Sequence, residues 1–254
     1  MALAVPRKAA LASILCLLTS VSPGVTRAIP SDGSTLFTDR GVAPPAGTAV
    51  AGSAQPDLFT GAAVTAIPLE LPPGTGGLTP MLALRYSSAG RGESWVGSGW
   101  SLALPAITRS LERGVPLYDD ALDVFELEGR KLVPESDTPI LPRRYHARRE
   151  SFERIVHEAD GSWTVTEPGG TRRRFGLAPE ARIEPSAGVT PFAWLLSEEE
   201  DVHVNVVAVR YDRTDAGTAY PFEVRYTLRR MAGGGLASLD ADATRDRLVR
   251  FALE

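Results

Sequence analysis

The residues best suited to chemistry in this 254-residue chain are three histidines and a short run of aspartates. His146, His157 and His203 are far apart, and none lies in an H-E-x-x-H or H-x-E motif. They could bind a metal ion only if a folded sheet brought them together. We therefore expect no metal site.

Asp119, Asp120 and Asp123 place three carboxylates within five residues, and clustered oxygens suit a hard cation such as Ca²⁺. The spacing, the glycine and the terminal glutamate of an EF-hand loop are absent from this segment. A solvated turn before a strand at Val124 explains the cluster better. Carboxylate pairs for glycoside hydrolysis cannot be assigned from spacing alone.

Two basic runs, at residues 143–150 and 172–174, are similar to a nucleic-acid surface because Tyr145 lies among the arginines. The chain as a whole is acidic, with 27 basic and 31 acidic side chains. We therefore interpret both runs as solvated strand faces or as partners for the acidic residues 198–201. We expect no nucleic-acid partner.

Four tryptophans, Trp95, Trp100, Trp163 and Trp194, could form a sugar-binding platform. Each lies in or beside a strand pattern, where a large ring normally fills the core. The sequence has no P-loop, no G-x-S-x-G motif and no complete dinucleotide-binding motif at residues 97–100. We expect no catalytic residue, no cofactor and no enzymatic activity.

The elements that would position these residues begin after an N-terminal targeting segment. Arg7 and Lys8 precede a nearly unbroken apolar stretch at residues 9–21, which is too short to span a bilayer and typical of a signal peptide. The small residues Thr26 and Ala28 predict a signal peptide at residues 1–28, cleaved after Ala28. A retained membrane anchor is the alternative. We expect a secreted protein without an anchor, with the periplasm as the other destination.

Cys16 is the only cysteine, so the mature chain would have none. This excludes a disulfide framework, a cysteine-ligated zinc site and a thiol nucleophile. The 24 glycines and 20 prolines favour a turn-rich all-β chain. Residues 29–57, rich in Gly, Pro and Ala, predict a flexible leader, and residues 58–254 predict a β domain.

From residue 58 onward the apolar pattern has a period of two, and no window of 11 or more residues has a helical period. Residues 124–127 and 131–133 flank Glu128-Gly129-Arg130 and predict a hairpin. Residues 152–176 predict a three-stranded meander with turns at Asp160-Gly161 and Gly169-Gly170. Further strands are predicted at residues 62–71, 81–87, 100–108, 192–197, 202–211 and 222–229.

In the strand at 222–229, alternation directs Phe222, Val224, Tyr226 and Leu228 inward, and Glu223, Arg225, Thr227 and Arg229 outward. The same alternation at residues 249–254 continues to the last residue. From this we expect a piece of a longer protein or a prematurely stopped reading frame. The fold class we predict is all-β, with antiparallel sheets and hairpins that form an incomplete β-shell or a sandwich segment.

The most specific stretch is a series of turn and strand motifs. It comprises TGAA at 60–63, IPLELPPG at 67–74, GGLTP at 76–80, LALRYSS at 82–88, GSGWSL at 97–102, ITR at 107–109 and DVFELEGRKLV at 123–133. The series resembles the N-terminal domain of the SpvB/TcaC family, which includes virulence-plasmid B proteins and B components of insecticidal toxin complexes. The resemblance covers roughly residues 58–254.

The resemblance implies a structural role. In toxin complexes the B component contributes β-sheet to a hollow cocoon, built with a YD/Rhs-repeat partner, around a toxic segment. In the SpvB type a separate C-terminal domain carries mono-ADP-ribosyltransferase activity toward actin, and no transferase motif occurs here. We therefore expect a secreted structural module that packs against further β-sheet of the same protein or of a YD/Rhs-repeat chain.

One departure from the family pattern lies at residues 201–205, where relatives tend to have glycine before Asn205 and this chain has Val204. A distorted turn near His203 is expected there. Two other functions stay open from the sequence. One is a stand-alone extracellular carbohydrate-binding or adhesion module that uses Trp95 or Trp100, and the other is an extracellular hydrolase with dispersed carboxylates.

Overall fold

The computed structural model describes residues 55–58, 61–90, 93–102, 104–186, 188–215, 218–239 and 247–252, so the predicted signal peptide and most of the predicted leader lie outside it. Within these residues there are 19 β-strands and two short 3-10 turns. The strands are β1 Gln55–Pro56, β2 Ala63–Pro68, β3 Ala83–Ser87, β4 Glu93–Ser94, β5 Gly97–Ser98, β6 Trp100–Leu102, β7 Ala106–Arg109, β8 Phe125–Leu127, β9 Arg130–Pro134, β10 Arg143–Ala147, β11 Arg154–His157, β12 Trp163–Thr166, β13 Arg172–Phe175, β14 Arg182–Ile183, β15 Ala193–Glu200, β16 Asn205–Asp215, β17 Thr218–Arg230, β18 Leu236–Ser238 and β19 Arg247–Arg250. The all-β prediction is confirmed.

Eight strands of the largest sheet close into a barrel. Antiparallel pairing runs in order from β7 to β13, and β15 then pairs with both ends of this series. The first part of β15, residues 193–195, pairs with β7, whereas Leu196 and residues 198–200 pair with β13. Closure pairs the backbone at both edges of the series, which an open sheet would leave exposed.

A β-bulge at Ser197 sets the direction of the side chains on β15. Leu196 is the partner of Phe175, but Glu198 is the partner of Arg174, so Ser197 is an extra residue on this strand. The extra residue reverses the alternation. Trp194 and Leu196 therefore face the barrel core, whereas Glu198 lies on its outer face.

The barrel interior is filled by large apolar side chains that alternate along each strand. Ile107, Leu127, Ile155, Val165 and Phe175 have no exposed surface. Burial of this kind is the main favourable contribution to folding, at about 25 cal/mol per Å² of apolar surface. The core continues from the barrel to Val224, Tyr226 and Val249 of the neighbouring strands.

Strands β16 to β19 extend the sheet beyond the barrel. β16 pairs with β15 and β17, and β17 then pairs with β18 along one part of its length and with β19 along another. A separate four-stranded sheet has the order β1-β2-β3-β6, and β4 and β5 form a small hairpin. β1 thus includes Gln55 and Pro56, which precede the predicted start of the β domain.

The two predicted turn regions are confirmed. Leu127 and Arg130 are partners across a two-residue turn in which Glu128 and Gly129 have φ values of 50° and 79°. The meander consists of β11, β12 and β13, with positive φ at Gly161 and Gly170. Turns of this kind match the twist of the flanking strands, so they fix the hairpin register.

Two strand predictions need correction. The run at residues 100–108 forms β6 and β7, which belong to different sheets and flank Pro105, a residue without a backbone N–H. In β17, Glu223 is buried and Phe222 is 38% exposed, the reverse of the prediction. The pairing shifts here, because Arg210 is the partner of Glu223 and Tyr211 the partner of Pro221, which leaves Phe222 as the extra residue of a bulge.

Among the described residues, no helix has the length and apolar character that a membrane span requires.

Candidate functional site

Arg109, at the end of β7, is a buried charge at one end of the barrel. Its side chain has no exposed surface and donates to Asp120 at 2.5 Å, to Asp123 at 2.8 Å and to the Pro191 carbonyl at 2.8 Å. The guanidinium also lies 5.1 Å from the centroid of the Phe125 ring. These partners offset the cost of removing the charge from water.

The interpretation of the aspartate cluster as a solvated turn is wrong for two of its members. Asp120 and Asp123 bind Arg109, and Asp123 also accepts a bond from the Leu117 backbone at 3.0 Å. Asp119 instead caps the turn by accepting from the Ala121 backbone. The cluster therefore fixes the connection between β7 and β8 to the barrel.

Arg143 reinforces the same end of the barrel and corrects the prediction of a solvated basic run. It is 6% exposed, and it donates twice to the Ser136 carbonyl and once to the Asp120 carbonyl. One guanidinium thus connects the β7–β8 loop to the β9–β10 loop. Arg144, the next residue on β10, is exposed.

His157 belongs to an aromatic cluster beneath these arginines. Its ring is stacked on Trp163 with a centroid distance of 4.2 Å, and Phe125 and Trp194 contact it edge-on. Burial is the main reason why the pKa of His157 is lowered to about 4. The Asp120 carboxylate and a hydrogen bond with the Gly161 backbone oppose this shift, and the charges of Arg109 and Arg182 add to it. Within the described residues, Nδ1 of His157 has no hydrogen-bond partner. The imidazole is therefore neutral at physiological pH.

The structure does not bring the three histidines together. His146 lies on β10 with Nδ1 against the Ala147 carbonyl, and His203 is exposed in the turn between β15 and β16. The part of the chain that the structure describes contains no group of three or more His, Cys, Asp or Glu side chains that could hold a metal ion.

Two of the four tryptophans are buried in the core and two are half-buried elsewhere, so the four do not form one platform. Trp163 and Trp194 are 0% and 1% exposed, as the core interpretation predicts. Trp95 contacts Phe251 edge-on at 5.6 Å, and Trp100 contacts Tyr86 at 5.2 Å. Both rings of this second pair are half-buried.

The arginines of β13 have carboxylate partners on both faces of the sheet. Arg174 binds Glu198 at 2.7 Å and Glu200 at 3.1 Å, which confirms the predicted pairing with the acidic run. Arg173 points the other way and lies within 3.4 Å of Glu128, Glu153 and Glu167. Burial opposes ionisation of Glu153, but hydrogen bonds from Arg130 and Ser151 lower its pKa.

The predicted distortion at residues 201–205 is a turn with Val204 in the left-handed region, at φ 61°. The Asp201 carboxylate accepts bonds from the His203 backbone, the Asn205 backbone and the Asn205 side chain, at 2.7–2.9 Å. These bonds, together with the Asp201 backbone N–H donating to the Asn205 carbonyl at 3.0 Å, close the turn without glycine.

The β7–β8 connection, residues 110–123, combines a fixed backbone with exposed apolar side chains; we call it the apolar loop. Leu111, Val115, Leu117 and Leu122 are 61%, 85%, 70% and 62% exposed. The loop is held by the Arg109 contacts, by Ser110 donating to the Val124 carbonyl and by Thr190 donating to the Tyr118 carbonyl at 2.7 Å. Exposed apolar groups on an ordered loop suit protein association rather than catalysis.

Sequence reasoning missed the apolar loop as a functional feature. The residues that could have indicated it are the four large apolar side chains placed around Gly114 and Pro116, outside any strand pattern. A large apolar residue in a turn-rich segment has no core face to fill, so its exposure is a signal of interaction.

Comparison with known proteins places the barrel in a toxin-related family. A family model described as "Salmonella virulence plasmid 65kDa B protein", SpvB, matches residues 58–230. Mono(ADP-ribosyl)transferase SpvB of Salmonella choleraesuis is 30% identical over 170 residues, which cover 55% of this chain and 29% of that protein. The chain therefore matches less than a third of the length of this relative.

Two solved structures share the fold. The N-terminal domain of effector protein SpvB from Salmonella typhimurium strain LT2 is 25% identical with a TM-score of 0.52, and the match covers 73% of this chain and 69% of that one. The Photorhabdus luminescens Tc holotoxin pore is 26% identical with a TM-score of 0.60, covering 72% of this chain and 10% of that one. Because the family model matches well over half of its residues, the chain belongs to the SpvB family.

Proposed function

We propose that this chain is a structural, non-enzymatic module of a toxin or virulence protein, which packs against further β-structure to enclose a toxic cargo. The observation that carries the proposal is the apolar loop, which is rigidly held yet exposed. The family relationship supports it, since the similar region is 29% of the Salmonella transferase and 10% of the Tc toxin chain. In both proteins this region is joined to much more chain.

The physical reason lies in the cost of keeping the loop in one conformation. Arg109 and Arg143 are removed from water to fix a segment that contributes four large side chains to solvent rather than to the core. A loop that is already ordered loses little conformational entropy when a partner covers it. The arrangement therefore favours a chain that is bound to a partner over an isolated monomer.

The proposed partner is further β-sheet of the same full-length protein or a YD/Rhs-repeat chain. The toxin-complex relatives support this choice, since the similar region is part of a far longer chain there. We also propose that residues 1–28 direct secretion, on the basis of the apolar stretch that follows Arg7 and Lys8.

Sedimentation velocity of the full chain tests the proposal. We expect the wild type to self-associate with rising concentration, because the apolar loop is uncovered. The variant Val115→Ser, Leu117→Ser, Leu122→Ser is expected to remain monomeric with an unchanged melting temperature, because these side chains contribute little to the core.

The control changes three exposed apolar residues elsewhere: Met81→Ser, Phe152→Ser and Val202→Ser, which are 95%, 80% and 63% exposed in the wild type. This variant should associate like the wild type. A wild type that stays monomeric at every concentration, or a control that abolishes association equally well, would contradict the proposal.

A further inference from the structure

The outer face of the sheet formed by β13, β15, β16, β17 and β19 carries a dense group of arginines. Cross-strand partners on one face form continuous rows, and the central row is Arg174, Glu198, Ala208, Arg225 and Leu248. The flanking rows are Arg172, Glu200, Val206 and Leu228 on one side, and Arg210, Glu223 and Arg250 on the other. With Arg230, which reaches across to Glu200, these rows define the arginine face: Arg172, Arg174, Arg210, Arg225, Arg230 and Arg250.

The acidic groups of this face lie beneath the basic ones. The side chains of Glu198, Glu200 and Glu223 are 13%, 9% and 3% exposed. Those of Arg210 and Arg250, in contrast, are 62% and 66% exposed. A molecule that approaches the sheet therefore meets guanidinium groups first.

The buried carboxylates carry fewer negative charges than the arginines of this face carry positive charges. Around Glu223 the Nε atoms of Arg225, Arg250 and Arg210 lie 2.6, 3.3 and 4.0 Å from the carboxylate oxygens. One carboxylate therefore has three guanidinium neighbours. Arg172, Arg174 and Arg230 share two more, Glu198 and Glu200. Asp212, two residues beyond Arg210 on β16, adds one more acidic side chain to this face. The net charge of the face is still positive.

This positive face belongs to a chain with a net charge of −4. The remainder of the chain is therefore acidic, which weakens long-range attraction to a nucleic acid. Short-range pairing with carboxylates is unaffected, because planar guanidinium groups bind them with two parallel hydrogen bonds.

We infer that the arginine face binds a protein surface rich in Asp and Glu. Arg210 and Arg250 are the groups that such a partner meets first, while Arg174 and Arg230 are held in place by their own carboxylates. The inference adds the chemistry of one partner surface to the proposed function and uses residues separate from the apolar loop. Failure of one is therefore distinguishable from failure of the other.

The test measures binding of the full chain to a short poly-L-glutamate peptide by isothermal titration calorimetry at low and physiological salt. The variant Arg210→Gln, Arg250→Gln keeps Arg225 as a partner for Glu223. We expect it to lose about tenfold or more in affinity, since two exposed charge-assisted contacts are removed.

The matched control is Arg229→Gln, Arg247→Gln. Val206 is the partner of Leu228 and Ala208 the partner of Arg225, so β17 has an extra residue here that reverses its alternation. Arg229 therefore lies, contrary to the predicted alternation, on the face opposite to Arg225, and Arg247 on β19 is exposed on that same face. The control should bind poly-L-glutamate within about twofold of the wild type.

Equal losses in both variants would overturn the inference, because they would reflect net charge alone. Tighter binding of a poly-dT oligonucleotide of equal charge would overturn it in favour of a nucleic acid, and absence of poly-L-glutamate binding by the wild type would also overturn it. Loss of folding in the arginine-face variant is checked by circular dichroism; if it occurs, Arg210→Gln alone gives the same comparison.

Discussion

At the scale of single residues, the end of the barrel combines two buried cations with a neutral histidine. Arg109 and Arg143 donate to carboxylate or carbonyl partners, which stabilise their guanidinium groups in the interior. His157, stacked on Trp163 without a partner for Nδ1 among the described residues, is held neutral. A further proton at this position would add a second charge close to Arg109 in a medium of low dielectric constant.

Acid should therefore destabilise the barrel through His157. The pKa of this imidazole falls from 6.5 to about 4 on folding, so its contribution is complete above pH 6.5 and is lost as the pH falls toward 4. The loss corresponds to about 3 kcal/mol of unfolding free energy. Urea unfolding between pH 7 and 4 should show a steeper decline for the wild type than for His157→Phe, which keeps the stacking.

The matched control is His146→Phe on the neighbouring strand, where the imidazole is partly exposed. Its pH dependence should follow the wild type. Identical slopes for all three proteins would show that carboxylates alone govern the acid response.

Val204 has a backbone conformation that suits glycine rather than a residue with a side chain. At φ 61° the folded backbone of a β-branched residue is strained by about 1–2 kcal/mol. Glycine adopts this conformation without strain, and the stability that it loses through its greater freedom in the unfolded chain is somewhat smaller. Val204→Gly should raise the unfolding free energy by about 0.5–1 kcal/mol in urea titrations. Val202→Gly, in the same turn, should lower it, and stabilisation by both changes would refute the argument from φ.

At the scale of elements, local turn chemistry made the hairpins predictable from the sequence. Glu128-Gly129 and Asp160-Gly161 require only a few neighbouring residues to define the turn, and both are found where predicted. Closure of the barrel was not predictable in this way. It depends on β15 pairing with β7, more than 80 residues earlier, and on the bulge at Ser197. Neither has a local sequence signal.

The same reasoning explains why the candidate site was only partly predicted. Arg143 and Glu223 were assigned to the solvent faces of their strands, yet both are buried. Arg109, for which no face was predicted, is buried as well. Arg109 shares its face with Ile107, two residues earlier, so alternation itself pointed inward. Partners for a buried charge come from distant loops, which a sequence pattern does not reveal.

We expect the contacts of Arg109 to contribute most to the stability of the apolar loop. Arg109→Met should lower the unfolding free energy by about 3–5 kcal/mol, because it leaves Asp120 and Asp123 without their buried counter-ion. Hydrogen exchange of the amides at residues 110–123 should accelerate more than exchange in β11 or β12. Lys131→Met, which removes the surface pair with Glu112, should cost less than about 1 kcal/mol. Equal effects of the two variants would contradict the assignment.

At the scale of the whole molecule, two surfaces support the proposal that this barrel packs against further structure. The apolar loop lies at the end of the barrel that Arg109 closes, and the arginine face lies on the outer side of the extended sheet. Both are composed of side chains that the core does not require. The similar region is only 10% of a Tc toxin chain, so in that relative it is part of a far longer chain. The central claim is that the loop is covered in the native assembly.

Hydroxyl-radical footprinting measures whether the apolar loop is covered. The protein purified under non-denaturing conditions from its native cells is compared with the recombinant chain alone, and oxidation of Val115, Leu117 and Leu122 is measured by mass spectrometry. We expect strong protection of these three side chains in the native material, with Met81 oxidised as an internal reference. Equal oxidation of the apolar loop in both preparations would contradict the claim that this module is covered by further structure.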